Sequence, residues 1–198
     1  MEKTLITISR QFGSGGREIA ELLTKKLHCH HFNSKIVEMA AANLHDGVSI
    51  DEAIARSYHT PEEAQGHLDK YEGFERMVEN NRMYVEQAKV ILNVAERPES
   101  AIFLGRCADY ILRNRKDVFS FFIYADDDFR AERGKLKYHG MSLKELNREE
   151  NRRKQYYEFY TGQRWGDPTN YDMMINTSGI SLETAANTIL AYIQFCRS

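Results

Sequence analysis

The sequence predicts a three-layer α/β fold, with a mostly parallel five-stranded sheet flanked by helices, and three observations carry that expectation. First, four apolar, β-prone runs cover residues 4–9, 101–104, 118–124 and 173–175, and a short fifth lies near His31 and Phe32. Second, each run is followed by a polar or glycine-containing turn and then a helical pattern, the order of βα units on a parallel sheet. Third, the opening segment TLITISRQFGSGGRE passes from a strand through a glycine-rich turn straight into a helix.

Taken in order, the first strand covers residues 4–9 and the first helix opens near Arg17, with Ile19, Leu22, Leu23 and Leu27 as its apolar residues. Between Ser34 and Glu96 the pattern is helical only. Ser49 with Glu52 and Thr60 with Glu63 have capping-box spacing, and Pro61 stands where a first helical residue belongs. Met77, Val78, Val85, Ala88, Ile91, Leu92 and Ala95 then mark a long amphipathic helix returning to the next strand. This insertion is a candidate substrate-covering subdomain. Ser142 with Glu145 starts a helix rich in Arg, Lys and Tyr that reaches toward Tyr160. Residues 161–172 read as a loop because Gly162, Gly166 and Pro168 break any period. A last helix begins at about Ser181 and buries Leu182, Ala185, Ile189, Leu190 and Ile193. Internal repeats and low-complexity linkers are absent.

At 198 residues and 42% hydrophobic content the chain is long enough for one buried core, so a single domain over 1–198 is expected. The balance of 27 Lys+Arg against 29 Asp+Glu gives no global basic field, which argues against nucleic-acid or membrane partners and makes any anion site local. Cys29, Cys107 and Cys196 are widely spaced and odd in number, which argues against a disulfide framework or a structural zinc site. With no signal-like segment at the start and no run of about 18 apolar residues, the expectation is a soluble, cytoplasmic protein. Oligomeric state is not legible.

The chemistry concentrates in four places. Gly13, Gly15 and Gly16 let the backbone take positive φ and turn N–H groups around an anion, and the following helix adds its own N-terminal N–H groups and dipole. Against the common form G-x-x-x-x-G-K-[ST], aligned on Gly15, Arg10 stands at the first glycine, Gly16 at the lysine and Arg17 at the hydroxyl. Gly105-Arg106 ends the second long strand, where open α/β sheets bind ligands; its arginine would hold a phosphate or be simply solvated. Arg130 and Arg133 share a helical face and would either converge on one anion or pair with neighbouring acids. Asp126, Asp127 and Asp128 before them suit a helix N-terminus better than a metal site. Arg148 to Lys154, followed by Tyr156, Tyr157, Phe159 and Tyr160, suits a lid over phosphates, a single-stranded nucleic-acid platform or an aromatic core face. His28, His30 and His31 lack partners at ligand spacing. Motifs of hydrolase chemistry are missing.

Together the segments ITISRQFGSGGREIA, FNSKIVE, LGRCADYIL, FIYADDDFRAER and YYEFYTGQRWGDPTNYDMMINT resemble the cytidylate kinase-like family of P-loop nucleoside monophosphate kinases. The resemblance implies a P-loop kinase fold with a helical acceptor-binding insertion at about 34–96 and a lid at about 134–170. It implies an ATP- and Mg²⁺-dependent phosphotransferase acting on a nucleoside monophosphate, CMP-like, or another small acceptor. Gly13, Ser14, Gly15 and Gly16 would cradle the donor phosphates, with Arg17 supplying the missing lysine's charge. Arg106 matches the arginine of G-R-D, Arg130 and Arg133 match R-A-x-R, and Glu150 and Arg153 match D-x-x-R. Arg17, Arg106, Arg130, Arg133 and Arg153 form the expected catalytic set, and Ser34, Lys35, Arg106, Asp109, Glu150 and Arg153 the acceptor side. Cys107 stands where G-R-D has its acid. Magnesium would rely on water and an acid, either Asp126 or Asp109. The competing reading is a nucleotide-binding regulatory module that keeps the fold without transfer, in line with the missing lysine and hydroxyl.

Overall fold

The computed structural model describes residues 2–44 and 70–198, the side chains of 44 and 70–79 excepted. The capping boxes expected at Ser49 and Thr60, with Pro61, lie outside the described residues, as do the side chains of Met77 and Val78. In chain order the elements are β1 (Leu5–Arg10), α1 (Gly16–Leu27), β2 (His30–Phe32), α2 (Ser34–Leu44), α3 (Lys70–Glu96), β3 (Ala101–Leu104) and α4 (Ala108–Ile111). Then follow β4 (Val118–Tyr124), α5 (Asp127–Lys137), α6 (Leu143–Thr161), a 3-10 turn at Pro168–Asn170, β5 (Met173–Asn176) and α7 (Leu182–Phe195).

The five strands form one sheet in the order β2-β3-β1-β4-β5, and every pairing is parallel. A parallel sheet covered on both sides needs strands that are apolar on both faces, and all six residues of β1 are buried. Their alternation divides the core. Ile6 and Ile8 join Ile19, Ala20 and Leu23 of α1 and Ala185, Ile189 and Ile193 of α7. Leu5 joins Ile36 and Ala40 of α2 and Val90, Ile91 and Val94 of α3. Three layers result, as the strand-turn-helix order predicts.

The expected face of α3 needs one correction. Val85 and Leu92 are 48% and 44% exposed, whereas Gln87, Val90, Ile91, Val94 and Ala95 are buried. The apolar residues of this helix outnumber those on one 100° stripe, so periodicity alone leaves the stripe's centre ambiguous; packing against α2 and β3 selects it. In α7, Leu182 and Leu190 lie at the edge of the core and Ala186 takes a buried place. The Ser142–Glu145 capping box forms as expected, with Ser142 N–H donating to Glu145 Oε2 at 2.8 Å. Asp126 caps α5 by position only, and its Oδ1 accepts from Asn176 Nδ2 instead. No described helix is long and apolar enough to cross a membrane.

This topology places the site. The chain leaves β1 toward the β2 edge, and after β3 it crosses to β4 on the other side of β1. Helices that follow β1 and β3 therefore diverge, and the carboxyl ends of these two strands border the crevice that open parallel sheets use for ligands.

Candidate functional site

At the carboxyl end of β1 the loop 11–15 is held from every side. Gln11 N–H donates to the Ile123 carbonyl at 2.9 Å, and its side-chain Oε1 accepts from Ala125 N–H at 3.1 Å, tying the loop to the end of β4. Ser14 is fully buried, and its Oγ donates to the Gln11 carbonyl at 2.9 Å; its own carbonyl accepts from Thr177 Oγ1 at 2.7 Å. The serine hydroxyl is thus spent on the loop's own shape. Gly13 and Gly15 have φ of 90° and 87°, the left-handed region that a Cβ disfavours. A Cβ on Gly15 would also lie 2.5 Å from Leu182 Cδ2, so the Leu182 side chain would have to move.

Arg130 and Arg133 of α5 do not converge on open space. Arg130 Nε donates to the Phe12 carbonyl at 2.8 Å and Arg133 Nε to the Gly13 carbonyl at 3.0 Å. Their remaining donors pair with Asp127 and Asn147, and with Glu18, respectively. A trans peptide points its C=O and N–H in opposite directions. Holding the Phe12 carbonyl outward therefore directs the Gly13 N–H inward, which makes the two arginines shapers of the cradle.

Helix α6 lies across the loop. Glu150 Oε2 accepts from Phe12 N–H at 2.7 Å, and Oε1 accepts from the Trp165 indole N–H at 2.6 Å. Arg153 donates to the Arg10 carbonyl at 3.3 Å and sets its guanidinium 4.5 Å from the centre of the Phe12 ring. Three of the four aromatics at the end of α6 take the core reading, since Tyr156 and Tyr157 are buried and Tyr160 stacks on Tyr84 of α3 with ring centres 4.1 Å apart, whereas Phe159 is exposed.

The second strand end is unusual. Gly105, Arg106 and Cys107 have φ of 71°, 61° and 56°, so two non-glycine residues occupy the left-handed region in succession. Such conformations cost about 1–3 kcal/mol each and cluster where function over-determines the backbone. Arg106 is only 5% exposed. In α4, Asp109 is enclosed, with Tyr157 Oη donating to its Oδ2 at 2.7 Å and Ser9 Oγ at 3.5 Å from Oδ1. Burial pushes the Asp109 carboxyl up to about 6, against the opposing pull of the Tyr157 hydrogen bond. Burial also raises the Cys107 thiol well above its usual range, which makes it a poor nucleophile.

The structure thus gathers Gly13, Ser14, Gly15, Gly16, Arg106, Arg130, Arg133, Glu150 and Arg153 around one sheet edge. Other expected residues stand apart. Arg17 lies on the outer side of α1, its side chain 67% exposed and paired with Glu21 at 3.2 Å. Lys35 of α2 is exposed and pairs with Glu38 at 3.2 Å, while Ser34 begins that helix just past β2. Among the described residues no group of three or more His, Cys, Asp or Glu could hold a metal ion. Three participants escaped sequence reasoning: Arg10, Gln11 and Trp165. Arg10 carried a signal, being a charged residue where the common loop has its first glycine.

The comparisons bear on the family and the fold. The cytidylate kinase-like family model matches residues 5–179. An uncharacterized protein from Eubacterium ventriosum of known structure is 23% identical, with 97% of this chain and 99% of that one covered and a TM-score of 0.69. Shikimate kinase from Acinetobacter baumannii, in complex with shikimate, is 12% identical over 97% of this chain and 93% of its own, TM-score 0.53. The APS kinase of Mycobacterium tuberculosis, in complex with AMPPNP and APS, is 13% identical over 98% of both chains, TM-score 0.52. At these identities the structural likeness establishes the P-loop kinase fold. No curated protein matches the sequence.

Proposed function

Because the chain belongs to the cytidylate kinase-like family, we propose that it is an ATP-dependent phosphotransferase acting on a nucleoside monophosphate, CMP-like, or another small acceptor. One observation carries the reading: the glycine loop, buried Arg106 and the arginines of α5 and α6 meet at the carboxyl ends of β1 and β3. Phosphoryl transfer needs aligned reactants and positive charge on the migrating group more than covalent help. The backbone of Gly13 to Gly16 and the N-terminus of α1 would hold the donor's β-phosphate. Arg106, poised by its strained turn, would hold the acceptor's phosphate. Arg153, already at the loop, would close over both, and Glu150 would fix the distance between α6 and the loop. Residues at about 34–96, from Ser34 and Lys35 onward, would receive the acceptor, and those at about 134–170 would act as the lid. The acceptor oxygen attacks the γ-phosphorus as the bond to the ADP oxygen breaks, and the acceptor's proton leaves to solvent.

Mg²⁺ takes oxygen ligands, keeps several waters and needs only one or two carboxylates beside the phosphates. Asp126 fits that demand: it is exposed at the end of β4, next to Ala125, whose N–H is held by Gln11 of the loop. Asp109 does not fit, being enclosed and engaged by Tyr157. The ion would neutralise phosphate charge in the transferred group.

Incubation with Mg-ATP and a panel of nucleoside monophosphates and small phosphorylatable metabolites tests the reading, with ADP release as the readout. ADP above a protein-free control for at least one acceptor supports it. Binding of Mg-ATP without turnover on any acceptor would favour the regulatory module, the reading suited to a loop with Gly16 and Arg17 where lysine and hydroxyl are usual.

A further inference from the structure

The position of the missing lysine is occupied by space that another residue uses. A Cβ built on Gly16 would lie 2.7 Å from Arg10 Cβ and 2.9 Å from Arg10 Cγ, closer than real side-chain contacts allow. Arg10 ends β1 on the face shared by Ile6 and Ile8, the face that α1 covers. Its stem therefore crosses the first residue of α1, and the whole residue is only 6% exposed. In this backbone a side chain at position 16 and the stem of Arg10 compete for one volume, so that one of them has to shift. Arg17, which follows Gly16 in the chain, points to solvent and to Glu21.

We propose that Arg10 is the loop's phosphate-binding cation: the charge that the common loop carries at its lysine has moved to the position of its first glycine, and a glycine at 16 is the steric condition of the exchange. The electrostatics fit. The N-terminus of α1 already favours negative charge through its free N–H groups and dipole. A guanidinium whose stem crosses the first residue of that helix adds positive charge to the same field. Arginine's fork grips two phosphate oxygens where lysine offers a single point charge. Arg153 holds the Arg10 carbonyl at 3.3 Å, so α6 also steadies the residue that carries the charge.

The inference rests on the kinase reading, and the experiment separates the two. Mg-ATP affinity is measured by calorimetry, and the unliganded thermal midpoint by circular dichroism, for wild type, Arg10→Gln, Arg10→Lys, Arg10→Gly, Gly16→Lys and the double variant R10G/G16K. We expect Arg10→Gln to weaken Mg-ATP by at least about tenfold, the loss of one charge-assisted phosphate contact, while Arg10→Lys retains most of the affinity at a similar thermal midpoint. Gly16→Lys alone should lower both midpoint and affinity, and the double variant should bind Mg-ATP more tightly than Arg10→Gly. Equal affinity of Arg10→Gln and wild type overturns the proposal, as does a double variant no better than Arg10→Gly. Wild-type protein that binds no Mg-ATP refutes the kinase reading itself, and the relocation with it.

Discussion

Replacing Glu150 by Ala removes a side chain that ties the loop, α6 and the segment after it together. Its two oxygens accept from Phe12 N–H at 2.7 Å and from Trp165 Nε1 at 2.6 Å. A hydrogen bond to a charged group contributes about 1.5–3 kcal/mol when shielded and less when water competes. Glu150 is partly exposed, so the low end of that range applies and the pair together contributes about 2–4 kcal/mol. For a chain of this length each kcal/mol moves the thermal midpoint by about 2–4 °C, which sets the expected fall at roughly 4–16 °C. Glu150→Gln keeps one acceptor and donates no charge, so about half the loss is expected. The assay has a built-in local probe, because Trp165 is the only tryptophan. It sits between Phe122 and Tyr157, with ring centres 5.2 and 5.1 Å away. Releasing its indole N–H should shift its emission to the red and raise iodide quenching before global unfolding. A midpoint within about 1 °C of wild type, together with unchanged Trp emission, would show that Glu150 does not brace the loop.

Three other expectations follow from the geometry. Burial holds the folded-state Asp109 carboxyl at about 6 against an ordinary 3.8, so protonation favours the fold: below 3.8 both states carry the proton, and between 3.8 and about 6 the unfolded chain ionises first. Asp109→Asn should therefore be neutral near pH 3.5 and stabilising by on the order of 3 kcal/mol above pH 6; urea titrations showing no pH dependence of that difference would refute the assignment. Gly134→Ala ordinarily gains about 1 kcal/mol inside a helix, yet a Cβ here would collide with the Met141 backbone carbonyl oxygen. A loss of about 1–3 kcal/mol in denaturant melts is expected, and a gain would mean that the turn after α5 yields easily. Arg17→Ala should leave Mg-ATP affinity within about twofold, since an exposed i,i+4 pair contributes only about 0.3–0.5 kcal/mol; a tenfold loss by calorimetry would put Arg17 back in the cradle.

Much of the fold is readable along the chain because its signals are local. Strand runs, glycine turns and the Ser142–Glu145 box depend on neighbours within a few residues, so all five strands and the start of α6 appear where the pattern puts them. The family is readable for the same reason, since ITISRQFGSGGREIA and the later motifs are contiguous. The face of α3 was less legible, because choosing between Leu92 and Val94 takes the shape of α2 and β3.

What the sequence determined by itself was the layered parallel sheet, the glycine loop at the end of β1 and the arginines near it, since spacing and residue type are one-dimensional facts. What only the tertiary structure decided is where each cation goes. Arg130 and Arg133 reach loop carbonyls from residues more than a hundred positions away, Glu150 bridges Phe12 and Trp165, and Arg17 turns to Glu21. A long flexible side chain follows the anions and carbonyls it meets, and those are brought near it by the fold. The contact between Arg10 and Gly16 is of this kind. In the sequence it is two departures from a motif; in space it is one exchange, because two side chains cannot fill the same volume.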